Sequence, residues 1–95
     1  MFYEKRISSY AALKKEVLTL DSDAGIRIVG SYLKRPCFVF VTRFAGKYTV
    51  MVCERKGSRA PTVGREVIFK EFGSLKELEE FLHGVARHKV NAFVY

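Results

Sequence analysis

The chain has 95 residues, of which 48% are hydrophobic and 28% charged, and its formal net charge is +7 at pH 7. This length fits one domain spanning residues 1–95, and the composition is that of a folded globular protein, which excludes a two-domain arrangement and a disordered chain. The longest apolar run, residues 37–41, is far shorter than the roughly 20 residues that cross a bilayer, so a membrane class is excluded as well.

The first predicted element is a helix. Ser8 or Ser9 caps its start, apolar residues recur at spacings of three and four up to about Leu20, and turn-forming residues follow. Three strand-like runs rich in β-branched and aromatic residues come next. They cover residues 26–33, 37–44 and 47–55.

A basic loop then leads into a fourth predicted strand at residues 65–72. Ser74 and Glu77 form a capping box that predicts a second helix. Residues 90–95 predict a short strand, which pairs with residues 2–7 or with another chain. The sequence therefore predicts an α+β fold: an antiparallel sheet of about four strands, with an N-terminal and a C-terminal helix on one face.

Two turns set the predicted register of the sheet. A turn at residues 34–36 places Leu33 opposite Cys37, and a three-residue loop places Arg43 opposite Lys47. In this register one face carries the larger apolar area and almost no charge. We expect the two helices to cover that face.

The two faces suit different contacts with a partner. If the helices cover the more aromatic face, Arg27, Arg43 and Lys47 form an open row beside small aliphatic side chains. The opposite assignment exposes a platform on which unpaired bases stack. Its members are Tyr32, Phe38, Phe40 and Tyr48.

Cys37 and Cys53 lie opposite each other in this register. Two buried thiols are the ordinary expectation for a cytosolic chain, but a disulfide stays open because intracellular proteins of hyperthermophiles carry them. The composition is of the hyperthermophile type, since the chain has no glutamine and one asparagine while lysine, arginine and glutamate are abundant.

Almost the whole positive surplus lies in residues 25–65, which carry nine lysines and arginines and one glutamate. We expect these cations to converge into one continuous strip. A cationic field over a sheet that bears aromatic side chains suits a polyanion with stackable rings. We therefore predict binding of single-stranded nucleic acid, with single-stranded DNA favoured and little sequence preference. The predicted binding residues are Arg27, Tyr32, Lys34, Arg35, Arg43, Phe44, Lys47, Tyr48, Arg55, Lys56, Arg59 and Arg65.

The sequence contains no arrangement typical of an enzyme, a metal site or a cofactor site. His83 and His88 are five residues apart, whereas two histidines four apart on a helix face one metal. Fifteen residues separate Cys37 from Cys53, unlike the close cysteine pair of a zinc finger. We expect no catalytic residues, no cofactor and no metal.

The hairpin FAGKYTVMVCE at residues 44–54, followed by a basic loop with Pro61 and Gly64, resembles the central hairpin of the transcriptional-coactivator family of single-stranded-DNA-binding proteins. That family has a curved four-stranded sheet before one helix and forms dimers. The backbone contacts that this resemblance implies are Lys47, Lys56 and Arg59. The layout, basicity and composition also resemble the DNA-binding domain of ThermoDBP, a single-stranded-DNA-binding family of hyperthermophilic archaea.

A rival interpretation belongs to another class of protein: a dimeric protein-interaction module that does not bind nucleic acid. Its cations would serve solubility or bind an acidic protein, and it would dimerise through the sheet or the C-terminal segment 90–95. Residues 1–6 lack the order of a secretory signal, and we expect a cytoplasmic protein.

Overall fold

The computed structural model describes residues 5–21, 23–44, 46–57, 62–85 and 90–95, which form six strands and two helices. In chain order the elements are β1 (Lys5–Ile7), α1 (Tyr10–Leu18), β2 (Gly25–Tyr32), β3 (Arg35–Phe44), β4 (Lys47–Lys56), β5 (Thr62–Phe72), α2 (Leu75–Val85) and β6 (Ala92–Val94). The strands form one antiparallel sheet in the order β1-β6-β2-β3-β4-β5.

The predicted α+β class is confirmed, but the sheet has six strands instead of about four. The additional strands are the short β1 and β6. β6 lies between β1 and β2 and pairs with both, and Gly25 and Tyr95 extend this pairing with backbone hydrogen bonds of 3.0 and 2.9 Å. The C-terminal segment therefore joins the sheet of its own chain.

Both helices begin at the predicted serine caps. The Ser9 hydroxyl oxygen accepts from the Ala12 backbone N–H at 3.2 Å, and the Ser74 hydroxyl oxygen accepts from the Glu77 N–H at 3.3 Å. Each cap satisfies a donor that the first helical turn leaves without an intrahelical partner. No helix in the part of the chain described above combines the length and the apolar character that a membrane span requires.

Both helices pack against the same face of the sheet, here called the helix face. They also contact each other, because the Tyr10 ring stacks on His83 with 4.1 Å between centroids. In the described part of the chain the opposite face of the sheet carries no helix, and it is called the open face. The buried side chains between helices and sheet include Leu13, Val17, Leu78, Leu82 and Val85 from the helices and Ile26, Ile28, Val39, Val41, Val50 and Val52 from the strands.

The first turn of the sheet differs from the prediction. Cys37 pairs with Gly30 rather than with Leu33, so the register is shifted by three residues. The connection consists of Leu33 and Lys34 alone, and both have positive φ angles, 52° and 65°. This is the conformation of a type I′ hairpin turn.

The turn between β3 and β4 is also shorter than predicted. Phe44 pairs with Lys47, so two residues connect the strands and the register is shifted by one. Both shifts are odd, and an odd shift moves the side chains of a strand to the other face. In β2 and β4 the side chains predicted to face the helices therefore do so. In β3 the other set of side chains faces the helices, so this strand is turned over relative to the prediction.

The predicted core face is therefore wrong for β3. Phe38 and Phe40 lie on the open face, and Cys37, Val39 and Val41 pack beneath the helices. Both faces of this strand are apolar in the sequence, so alternation alone does not assign them. Turn length decides the assignment instead.

The same shift separates the two cysteines. Cys53 pairs with Phe38, and Cys37 pairs with Glu54, so the two side chains lie on opposite faces of the sheet. Both cysteines are free and buried. The disulfide that the sequence left open is not formed.

Gly30 lies where α2 comes closest to the sheet. A Cβ at this position would be 2.8 Å from the Val85 carbonyl oxygen and 2.9 Å from its Cγ1. We predict that Gly30→Ala lowers the free energy of unfolding by about 2 kcal/mol, because the helix must move to accommodate the methyl group. Denaturant titration measures the change.

Gly84 in α2 supplies the matched control, since a Cβ there meets nothing within 4 Å. Gly84→Ala should raise the free energy of unfolding by about 1 kcal/mol through helix propensity. A Gly30→Ala protein as stable as the parent would contradict the close approach of α2 to β2.

Candidate nucleic-acid interface

One row of side chains crosses all six strands on the open face. Its phenylalanines alternate with other residues, so successive rings are two strands, or about 10 Å, apart. We call these six residues the central row. In sheet order they are Arg6, Phe93, Arg27, Phe40, Met51 and Phe69.

Aromatic side chains fix the position of Arg27 within this row. Its guanidinium carbon lies 4.9 Å from the centroid of the Phe93 ring. Burial raises the pKa of Tyr95, and the positive charge of Arg27 opposes that shift, so this charge also acts on the Tyr95 hydroxyl. The arginine is thus held among rings at the β6 side of the open face.

Phe38 and Phe40 form an apolar floor in the middle of the open face. Their ring centroids are 6.3 Å apart and the rings are tilted by 44°. Phe38 is buried and Phe40 half-buried, whereas Phe69 at the β5 edge is 54% exposed. Ring exposure therefore increases from the centre of the face toward the β5 edge.

Cations lie at both ends of β4 on this face. Lys47 begins the strand and Arg55 is its penultimate residue, so the two are about 27 Å apart along an extended chain. Phe44, which is 73% exposed, pairs with Lys47. The open face thus combines charge at its ends with aromatic rings between them.

The ion pairs of the described residues lie away from the central row. Carboxylates do occur on β5, where Glu66 and Glu71 pair with open-face residues of β4. Within the described residues, Lys47 and Arg55 form no ion pair. The pairs that are formed join Lys5 with Glu16, Lys14 with Glu79, and Arg65 with Glu54.

The predicted binding residues do not form one strip, because strand alternation divides them between the two faces. Those on the open face are Arg27, Phe44, Lys47 and Arg55. Those on the helix face are Tyr32, Arg35, Arg43 and Tyr48. Lys34 lies in the first turn, Lys56 ends β4, Arg65 lies in β5, and Arg59 falls outside the described residues.

The predicted row of Arg27, Arg43 and Lys47 is wrong because β3 is turned over. The guanidinium carbon of Arg43 lies 5.3 Å from the Tyr48 ring centroid on the helix face. Tyr48 is buried, and its hydroxyl donates to the Val17 carbonyl oxygen at 3.3 Å. Tyr48 therefore belongs to the core and is not available for base stacking.

Tyr32 is also turned toward the helices. Its ring lies 5.9 Å from that of Phe81 in α2, centroid to centroid. The side chain is half-buried. Tyr32 consequently does not belong to the open face.

Sequence reasoning missed Arg6, Phe69 and Phe93 as members of the interface. Arg6 and Phe93 lie on strands of three residues each, where alternation with buried neighbours is too short to stand out. The sequence predicts a strand around Phe69 but not which face of the sheet its side chain occupies. The pairing of β5 with β4 contains two register shifts, which the sequence does not indicate. Pairing across the sheet, rather than local sequence, brings these side chains together.

Comparison of the chain with protein-family models, with curated proteins and with solved structures found no match. Across the described ranges, no three histidine, cysteine, aspartate or glutamate side chains are grouped so that they could hold a metal ion. Function is therefore inferred from the geometry of the open face.

Burial raises the pKa of both thiols above the ordinary value of 9.0. At Cys37 the positive charge of Arg55 opposes this increase, and at Cys53 the negative charge of Glu66 adds to it. The folded protein therefore disfavours both thiolates.

Because the pKa values of the two thiols are higher in the folded protein, the same thiols lose their protons at a lower pH in the unfolded chain. The stability that the two neutral thiols contribute is complete below about pH 8 and is lost as the pH rises through their folded-state pKa values. We predict that Cys37→Val combined with Cys53→Val makes the alkaline decline in unfolding free energy shallower, as measured by denaturant titrations across this range. An unchanged decline would contradict the thiol contribution.

Proposed function

We propose that the open face binds single-stranded nucleic acid, with single-stranded DNA favoured and with little sequence preference. The observation that carries this proposal is the central row, in which three phenylalanines alternate with Arg27 and Met51 on a sheet face without a helix. Every base has a π face, so stacking on such rings is tolerant of sequence.

The aromatic rings favour an unpaired strand over a duplex. Bases in a duplex stack on each other and offer only their edges to a protein, whereas bases of a single strand turn outward and stack on side chains. Phe40 and Phe69 lie within the sheet surface, where a duplex could present only its phosphates to them. A single strand laid across the face brings bases to the rings and phosphates to the cations.

The positions of the cations suit a strand that extends over the whole face. Arg6 and Arg27 lie on the β1 side, and Lys47 and Arg55 lie at the two ends of β4. If each neutralises one phosphate, the logarithm of the affinity should fall with the logarithm of salt concentration with a slope of about −2.8.

Reversing charge on one face at a time tests the electrostatic part of the proposal. Lys47→Glu combined with Arg55→Glu should weaken binding of a labelled oligonucleotide on the order of 100-fold at low salt, because two phosphate contacts become repulsive. Fluorescence anisotropy measures the affinity. The matched control, Lys15→Glu with Lys76→Glu, makes the same change of net charge on exposed residues of the two helices.

The control variant should lose less than about threefold in affinity, since its charges lie behind the sheet and act only at long range. Equal losses in the two variants would show that net charge alone attracts the strand, which would contradict an interface on the open face. A duplex competitor and an RNA oligonucleotide in the same titration separate the strand types.

Removing an exposed ring tests the stacking part. Phe69→Ala should weaken binding by about tenfold, because one base loses its stacking partner while the core beneath the helices keeps all its contacts. The thermal midpoint and the affinity are measured on the same sample. Unchanged affinity at unchanged stability would contradict stacking at this position.

A second candidate is a dimeric interaction module without nucleic-acid binding. The β5 edge favours it, because this strand pairs on one side only and exposes more than half of Val63, Val67 and Phe69. Dimerisation by strand pairing through β6 is disfavoured, since β1 and β2 occupy both of its edges. Sedimentation equilibrium with and without oligonucleotide distinguishes this candidate from the first.

A further inference from the structure

The turn between β2 and β3 places two ordinary residues in a backbone conformation that normally requires glycine or asparagine. Leu33 has φ 52° and Lys34 has φ 65°. A branched side chain in the left-handed region crowds its own backbone, and type I′ turns prefer Asn-Gly for this reason. The Leu-Lys pair is therefore unfavourable for the turn itself.

Packing does not compensate for this conformation. Leu33 is 76% exposed, more than any other large hydrophobic side chain among the described residues. A side chain that strains the turn and contacts little of its own protein gains nothing from the fold. Such strain is found where a side chain serves a ligand.

Leu33 stands at the edge of a groove of about 830 Å³. This volume lies within the range of small-molecule sites, about 300–1,000 Å³. Leu33, Pro36 and Val67 give the groove exposed apolar surface, Tyr32 lines it beside Leu33, and the buried Cys37 and Val52 lie at its base. The groove is large enough for one nucleotide and has the apolar walls that a base requires.

The charges around the groove are mixed, with an excess of cations. Arg35, Arg55 and Arg65 line it together with two glutamates. One of these, Glu54, is already ion-paired with Arg65 at 3.3 Å. Most of the groove lies on the helix side of the sheet, where Tyr32, Arg35 and Cys37 face. Arg55, near the end of β4, lines the groove and also belongs to the open face, so a bound strand would reach the groove around this end of the sheet.

We propose that this groove holds one nucleotide of the bound strand, with Leu33 packed against the base and Arg35 and Arg55 near its phosphate. The inference rests on the proposed binding of single-stranded nucleic acid. It adds a site beyond the open face and assigns a binding role to an aliphatic residue.

Leu33→Asn tests the proposal because it should change stability and binding in opposite directions. Asparagine accepts positive φ, so the thermal midpoint should rise by about 4 °C. The affinity for a labelled 12-residue oligothymidylate should fall by about tenfold, since the base loses its apolar contact. Leu18→Asn is the matched control: Leu18 is exposed on α1, and its replacement should leave the affinity unchanged.

A Leu33→Asn protein that binds as tightly as the parent overturns the groove site while leaving the open-face proposal intact. Failure of the parent protein itself to bind any oligonucleotide overturns both. Photocrosslinking of an oligonucleotide that contains 5-iododeoxyuridine provides a readout independent of folding. Crosslinks at Tyr32 support the groove, and crosslinks confined to Phe40, Phe69 and Phe93 overturn it.

Discussion

The pairing register of β3 decides which side chains this protein offers to a partner. β3 lies inside the sheet between β2 and β4 and is apolar on both faces, so either face could pack beneath the helices. The two-residue turns on both sides of it place Val39 and Val41 in the core and leave Phe38 and Phe40 on the open face. A shift of one residue at either turn would exchange these two sets. The aromatic part of the proposed interface therefore depends on turn geometry rather than on composition.

The ion pairs found among the described residues lie away from the middle of the open face. Ion pairs between Lys5 and Glu16 and between Lys14 and Glu79 tie charges of the helix side to one another. On the open face Lys47 and Arg55 belong to no such pair within the described chain, and they flank the phenylalanines of β3. In the proposed function, these cations and the aromatic rings between them bind a ligand that has both phosphates and bases. The groove beside the strained turn at Leu33 also combines apolar side chains with arginines, at one end of the sheet.

The elements with strong local signals were predictable from the sequence. Ser74 with Glu77 and the apolar spacing after them define α2, and runs of β-branched and aromatic residues define the four long strands. The register was not predictable, because Leu33 and Lys34 carry none of the glycine or asparagine that marks a type I′ turn. The β3–β4 turn was also shorter than expected, and the two turns together moved Arg43 from the expected row to the side of Tyr48. Arg6 and Phe93 were missed for a different reason, since strands of three residues show no periodicity. They gain their positions only through the pairing of β1 with β6 and of β6 with β2.

Side-chain NMR during titration with an oligothymidylate tests most directly whether the open face is the binding surface. The Met51 methyl group and the rings of Phe40, Phe69 and Phe93 report on that face, and the methyl groups of Leu13, Leu78 and Leu82 report on the core behind it. The account predicts saturable shifts in the first group and small ones in the second. Shifts confined to the helix side, or none that saturate, would contradict it.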